Sequence, residues 1–114
     1  DDYNSKYVYS KILNVSAQPY PTTFSLGECY PNPFNPITQI PFSLPVESSV
    51  DIVVYDISGR LVDTILSRNL SPGSHKAEFN GQYLSSGVYI IKVHAKSLNS
   101  NESFIQSSKV LLLK

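Results

Sequence analysis

Alternation of apolar and polar positions dominates the second half of this chain. Ile40, Phe42 and Leu44 alternate with Gln39, Pro41 and Ser43, which places three apolar side chains on one face of a strand. Pro41 has no backbone donor, so this strand is expected at a sheet edge. Val50 to Tyr55 is the strongest strand pattern, with Val50, Ile52 and Val54 on one face. Asp56-Ile57-Ser58-Gly59 reads as a short loop, because Asp56 can bond its own backbone and Gly59 tolerates φ > 0. Leu61 to Leu66 is then the returning strand of a hairpin, and Pro72-Gly73 has the sequence of a type II turn. Ala77 and Phe79 alternate with Lys76, Glu78 and Asn80, a half-buried strand that Asn80-Gly81 ends. Val88 to Ala95 predicts a strand with Tyr89, Ile91, Val93 and Ala95 inward and Lys92 outward. After a turn at Asn99-Ser100-Asn101, Phe104 to Leu113 closes the domain, with a break expected at Ser107-Ser108. No segment repeats apolar residues at helical spacing over three turns. About seven short strands separated by turn signals predict an all-β fold, an antiparallel β-sandwich.

The first part of the chain is different. Seven of the eight prolines lie within the first 45 residues. From Gln18 to Pro36 neither helical nor strand periodicity appears, and prolines 19, 21, 31, 33 and 36 interrupt the chain. Proline fixes φ and pushes its predecessor toward extended backbone, so this stretch reads as an extended, polyproline-like linker. Tyr7 to Val15 reads either as a short strand or as the tail of a preceding domain. The expected organisation is therefore residues 1–27 as linker or remnant and 28–114 as the sandwich.

Composition narrows the function. The chain has 114 residues, 41% apolar and 16% charged, with formal net charge +0. That length suits one core, and the content of β-branched and aromatic residues argues against disorder. Neutrality argues against nucleic acid or an anionic membrane as the main partner, since both call for a basic excess. No apolar run is long enough for a spanning helix, so membrane insertion is not expected. The absence of methionine, even at position 1, marks the sequence as a piece of a longer or processed protein.

Candidate chemistry is sparse. His75 and His94 lie on different strands, and Asp51, Asp56 and Asp63 lack the loop spacing of a calcium site. No serine sits in a Gly-x-Ser-x-Gly elbow and no glycine-rich phosphate loop occurs. The single cysteine, Cys29, reads as an incidental free thiol in a loop. No enzyme activity, metal or cofactor is expected. Tyrosines without any tryptophan leave an accessory carbohydrate-binding module as a minor alternative, beside a retained adhesion module. The most unusual segment is Tyr30-Pro31-Asn32-Pro33-Phe34-Asn35-Pro36. It reads either as a pre-extended partner-binding motif anchored by Tyr30 and Phe34, or as a stiffener that blocks strand addition.

This motif, with Ile37-Thr38 and Ile40-Pro41-Phe42-Ser43-Leu44-Pro45 after it, resembles the opening of the C-terminal type A sorting domains of the type IX secretion system. The resemblance continues in order through Val53 to Val62, Leu70 to His75, Leu84 to Ile90 and Lys109 to Lys114, spanning roughly residues 26 to 114. It implies an immunoglobulin-like sandwich that carries a fused upstream cargo from the periplasm across the outer membrane. The implied partners are the outer-membrane secretion machinery and a sortase-type cysteine protease that removes the domain at the cell surface. Carried over position by position, the implied recognition residues are Tyr30, Pro31, Asn32, Pro33, Phe34, Asn35, Pro36, Gly59, Arg60, Gly87, Tyr89 and Lys109 to Lys114. Two departures stand out. Family members often carry asparagine where Cys29 stands, and more basic residues than the single Lys109 after Ser107-Ser108.

Overall fold

The computed structural model describes residues 21–114; the strand expected over Tyr7 to Val15 lies outside them. Seven strands form: β1 (Ser25–Leu26), β2 (Ile37–Leu44), β3 (Ser48–Asp56), β4 (Leu61–Leu70), β5 (Gly73–Asn80), β6 (Gly87–Ser97) and β7 (Ser103–Leu112). They build two antiparallel sheets, ordered β1-β2-β5 and β4-β3-β6-β7. The chain crosses between sheets after β2, β4 and β5, which makes the fold a β-sandwich.

The period-two pattern places the core as expected. Ile40, Phe42 and Leu44 from β2 and Phe79 from β5 meet Val50, Ile52 and Val54 from β3 and Tyr89, Ile91, Val93 and Ala95 from β6. Val110 and Leu112 of β7 complete the layer. Each such Val, Leu, Ile or Phe side chain contributes about 1.5–3 kcal/mol by leaving water. Thr38 and Ser48 are buried polar residues, and both are satisfied locally. Thr38 Oγ1 donates to the Pro31 carbonyl and Ser48 Oγ to the Val46 carbonyl, each at 2.8 Å.

Several expectations are corrected. Residues 21–36 are not a polyproline-like linker. β1 pairs with β2, Tyr30 bridges Gln39, Phe34 bridges Leu112, and all three Xaa-Pro bonds of the motif are cis. Periodicity misses this stretch because its contacts are to distant strands. β2 is not an edge strand, since β1 and Tyr30 flank it, but its proline is tolerated for a related reason. The Pro41 carbonyl accepts from Gly27 on the β1 side, so the missing donor faces that same side, where pairing is sparse. β4 runs on to Leu70, and β7 runs through Ser107 and Ser108, paired with Lys92 and Ile91. Backbone pairing does not require apolar side chains there. Gly73, read as part of a turn with Pro72, has φ +130 and opens β5 at the crossing between sheets.

The register divides the sandwich into two poles. Ile37 pairs with Asn80, Asp56 with Tyr89 and Gly87 with Leu112. One pole therefore carries the β3–β4 hairpin, the β5–β6 connection, the end of β7 and the Pro31–Pro36 segment. The opposite pole carries the β2–β3 and β6–β7 connections, and the chain enters there, with Phe24 stacked on Phe104 at 5.8 Å.

Candidate functional site

The proline motif reaches that first pole as a clamp on β7. The Phe34 amide donates to the Leu111 carbonyl at 2.9 Å, and the Leu113 amide donates to the Phe34 carbonyl at 3.0 Å. Next to it, the Asn32 side chain imitates a peptide unit. Its Nδ2 donates to the Lys109 carbonyl at 3.2 Å and its Oδ1 accepts from the Leu111 amide at 3.0 Å. The outer edge of β7 from Lys109 to Leu113 is thus paired by residues about eighty positions earlier in the chain. The Phe34 ring is buried, tilted against Phe79 at 5.4 Å, and so offers no surface to a partner. Tyr30, by contrast, is 77% exposed. Gly81 is needed beside the clamp, since a Cβ there would lie 2.9 Å from the buried Leu112 side chain.

Two loops at the same pole form a cleft. In the β3–β4 hairpin, Asp56 Oδ1 accepts from the Ser58 amide at 3.0 Å, the Ser58 hydroxyl at 2.7 Å and the Arg60 amide at 3.0 Å. Its Oδ2 pairs with Arg60 Nε at 3.0 Å. Gly59 takes φ +91, which a side chain would oppose. The Ser58 hydroxyl, then the Arg60 amide, and with them the remaining donors, hold the Asp56 carboxyl down to about 2 from 3.8, against a smaller desolvation. Opposite stand Tyr83 to Ser86 of the β5–β6 connection and Gly87 to Tyr89 at the start of β6, and together with the hairpin they line one cleft. Tyr89 is buried, and its hydroxyl donates to the Ser85 carbonyl at 2.7 Å, so it shapes the loop.

Arg60 is therefore brought beside Gly87 and Tyr89, which lie far from it in sequence, with Gly59 at the hairpin tip. The motif residues and Lys109 lie on the adjoining edge. Lys114 is committed elsewhere. Its Nζ donates to the carbonyls of Gln82 at 2.7 Å and Leu84 at 2.8 Å, and its amide donates to Ser86 Oγ at 2.9 Å. This lysine fastens the cleft loop and is not an unpaired charge. Among the cleft residues that sequence reasoning missed are its two most exposed large apolar side chains, Ile57 and Tyr83, at 80% and 92%. The available signal was a large apolar side chain at a turn position, where burial has no use for it.

Cys29 is a free cysteine, as read from the sequence, but it is a buried member of the core and not a loop thiol in solvent. Burial pushes its thiol above the ordinary value, partly offset by its hydrogen bond to Ser108 Oγ at 3.9 Å. Among the described residues no group of three or more His, Cys, Asp or Glu is placed to hold a metal ion.

Fold and site together define an antiparallel β-sandwich domain with exposed polar and apolar loop residues gathered at one pole. The family model for the secretion system C-terminal sorting domain matches residues 28–107. The chain belongs to this family, the C-terminal sorting domains of type IX secretion, and family membership implies export to the cell surface or extracellular space. No curated protein matches the chain.

Proposed function

We propose that this domain is a non-catalytic export address, read in its folded form by the outer-membrane type IX machinery at the loop pole. The observation that carries the reading is the cleft, where Arg60 and Gly87 of the family pattern meet the exposed side chains of Ile57 and Tyr83. Tyr30 and Lys109 extend the same surface along the β7 edge, and the buried residues of the pattern, Phe34 and Tyr89, hold it in shape. In this reading the fused protein travels through the periplasm, and a sortase-type cysteine protease afterwards removes the domain at the cell surface.

A periplasmic reporter fused upstream of the chain, in a host with the secretion system, tests this. Wild type is expected to bring the reporter outside the cell with loss of the domain's mass. The triple variant Ile57→Ser, Arg60→Glu, Tyr83→Ala is expected to lower export about tenfold or more, a loss of at least about 1.4 kcal/mol of recognition. Its thermal midpoint should fall by only a few degrees, because all three side chains are exposed and the Arg60–Asp56 pair lost with them is a surface pair. Full export of a folded triple variant would refute the cleft, and no export of wild type would refute the address.

A further inference from the structure

We infer, resting on the export reading, that the machinery's contact continues from the cleft onto the outer face of the four-stranded sheet. The partner surface that fits there is protein, apolar at its centre and lined with carboxylates at its rim.

Alternation fails at one end of that sheet. In an antiparallel sheet with one face in water, apolar and polar positions alternate along each strand. Three neighbouring strands break the pattern, with unbroken apolar runs at Ile52 to Tyr55 of β3, Val88 to Ile91 of β6 and Val110 to Leu113 at the end of β7. The inward members of these runs, such as Ile52, Ile91 and Leu112, belong to the core. The outward members are Val53, Tyr55, Val88, Ile90 and Leu111, and the register gathers them, Tyr55 opposite Ile90 and Val88 opposite Leu111. All five are half-buried, and none packs against the core. Runs apolar on both faces belong to strands covered on both faces, and a contiguous apolar patch with a polar rim marks an interaction site.

The other sheet shows what a face left to water looks like in this chain. Outward on β2 and β5 stand Gln39 opposite Glu78, Pro41 opposite Lys76 and Ser43 opposite Ser74, and Gln39 Nε2 donates to Glu78 Oε1 at 3.4 Å. The apolar patch is also confined to the loop-pole half of its own sheet, and Val88 lines the cleft itself. Toward the pole where Phe24 stacks on Phe104, alternation returns, with Asp51 opposite His94 and Ser49 opposite Lys96. Patch and cleft therefore form one continuous surface. A standard interface takes about 20–30 residues a side, more than two loops supply.

Charge selects the partner. Lys92 borders the patch beside Val53, and Lys109 borders it beside Ile90. Asp51, the acid on this face, accepts from the Ser67 hydroxyl at 2.6 Å, and the ion pair found among the described residues is Arg60 with Asp56. Carboxylates on the partner's rim complement both lysines. Side chains set in the middle of a sheet present a firm surface for shape complementarity, whereas lipid binding takes an element that sinks about 5–10 Å into the boundary.

The reporter fusion, run beside the cleft variant, tests this. Threonine suits strands, and Ile90→Thr with Leu111→Thr is expected to lower export about tenfold or more with the cleft loops unchanged. Lys92→Glu, on the outward face, is expected to lower export at least about threefold, and Lys92→Arg to export as wild type. Lys76→Glu on the other sheet is expected to export as wild type, and every variant to keep the wild-type circular dichroism spectrum. Normal export of the folded threonine variant, or of Lys92→Glu, while the cleft variant fails would overturn the inference and leave the export reading standing. A wild type that stays inside the cell would remove both. Equal loss in Lys76→Glu would overturn the inference by exposing a general effect of charge. Two results on the free chain would also overturn it. Flotation of wild type, but not of Lys92→Glu, with vesicles of equal phosphatidylglycerol and phosphatidylcholine would assign the face to a lipid surface. Nuclear Overhauser contacts from the Ile90 and Leu111 methyl groups to residues 1–20 would assign it to the chain's own first segment.

Discussion

Replacing Phe34 by alanine separates a folded motif from an extended one. The ring is 2% exposed, tilted against Phe79 at 5.4 Å, and one of its edge carbons lies 3.5 Å from the position a Gly81 Cβ would take. Truncating a buried phenylalanine costs about 3–5 kcal/mol, the lost transfer free energy plus the cavity left behind. The contact with Phe79 accounts for about 0.5–1.5 kcal/mol of that. The backbone bonds to Leu111 and Leu113 survive the change, which keeps the loss to the side chain. For a domain of this size each kcal/mol lowers the thermal midpoint by about 4–8 °C, so the expected shift is at least about 12 °C. With eight tyrosines and no tryptophan, urea unfolding followed by tyrosine emission and far-ultraviolet circular dichroism is the appropriate assay. An exposed residue of a linker would change stability by less than about 0.5 kcal/mol. A loss below about 1 kcal/mol at unchanged m-value would refute the placement of Phe34 in the core.

The hairpin and the thiol give two further expectations. Because the folded pKa of Asp56 is depressed, its contribution is present above its ordinary value of 3.8 and is lost as pH falls through about 2. The stability gap between wild type and Asp56→Asn should therefore narrow across that window, and the Ser58 and Arg60 amide shifts should titrate with a midpoint near 2; a midpoint near 3.8 contradicts the hydrogen-bond geometry. Cys29 should react with a disulfide reagent orders of magnitude more slowly in the native chain than in denaturant, because burial both shields the thiol and raises its pKa. Native labelling as fast as that of a small thiol would place Cys29 outside the core.

The strands and their inward faces were legible because each depends on a local pattern. Val50, Ile52 and Val54 declare a buried face by alternation alone, and Asp56 with Gly59 declares its hairpin by turn chemistry. The clamp was not legible for the opposite reason. Asn32 serves as a surrogate peptide unit for Lys109 and Leu111, and nothing around Asn32 encodes that distant partner. Prolines there signal only the missing donors, which suit an extended linker as well as an edge cover. The cleft was legible in part. Arg60, Gly87 and Tyr89 were named by family pattern, but their meeting follows from Asp56 pairing with Tyr89 across β3 and β6. Lys114 was named as a recognition residue by family pattern, and its bonds to the Gln82 and Leu84 carbonyls were not legible because a sequence does not show which carbonyls a lysine will find.

The clamp makes the motif conditional on the last strand. A chain that stops short of Lys109 leaves Asn32 without its partners, Phe34 without its bridge and the cleft loop without the ammonium that fastens it. During synthesis the motif emerges early and can meet β2 and β5, but the partners of Asn32 and of the Phe34 backbone arrive only with β7. Its assembled form therefore reports that the domain has been made through to β7, and a truncated chain withholds the surface proposed as the export address.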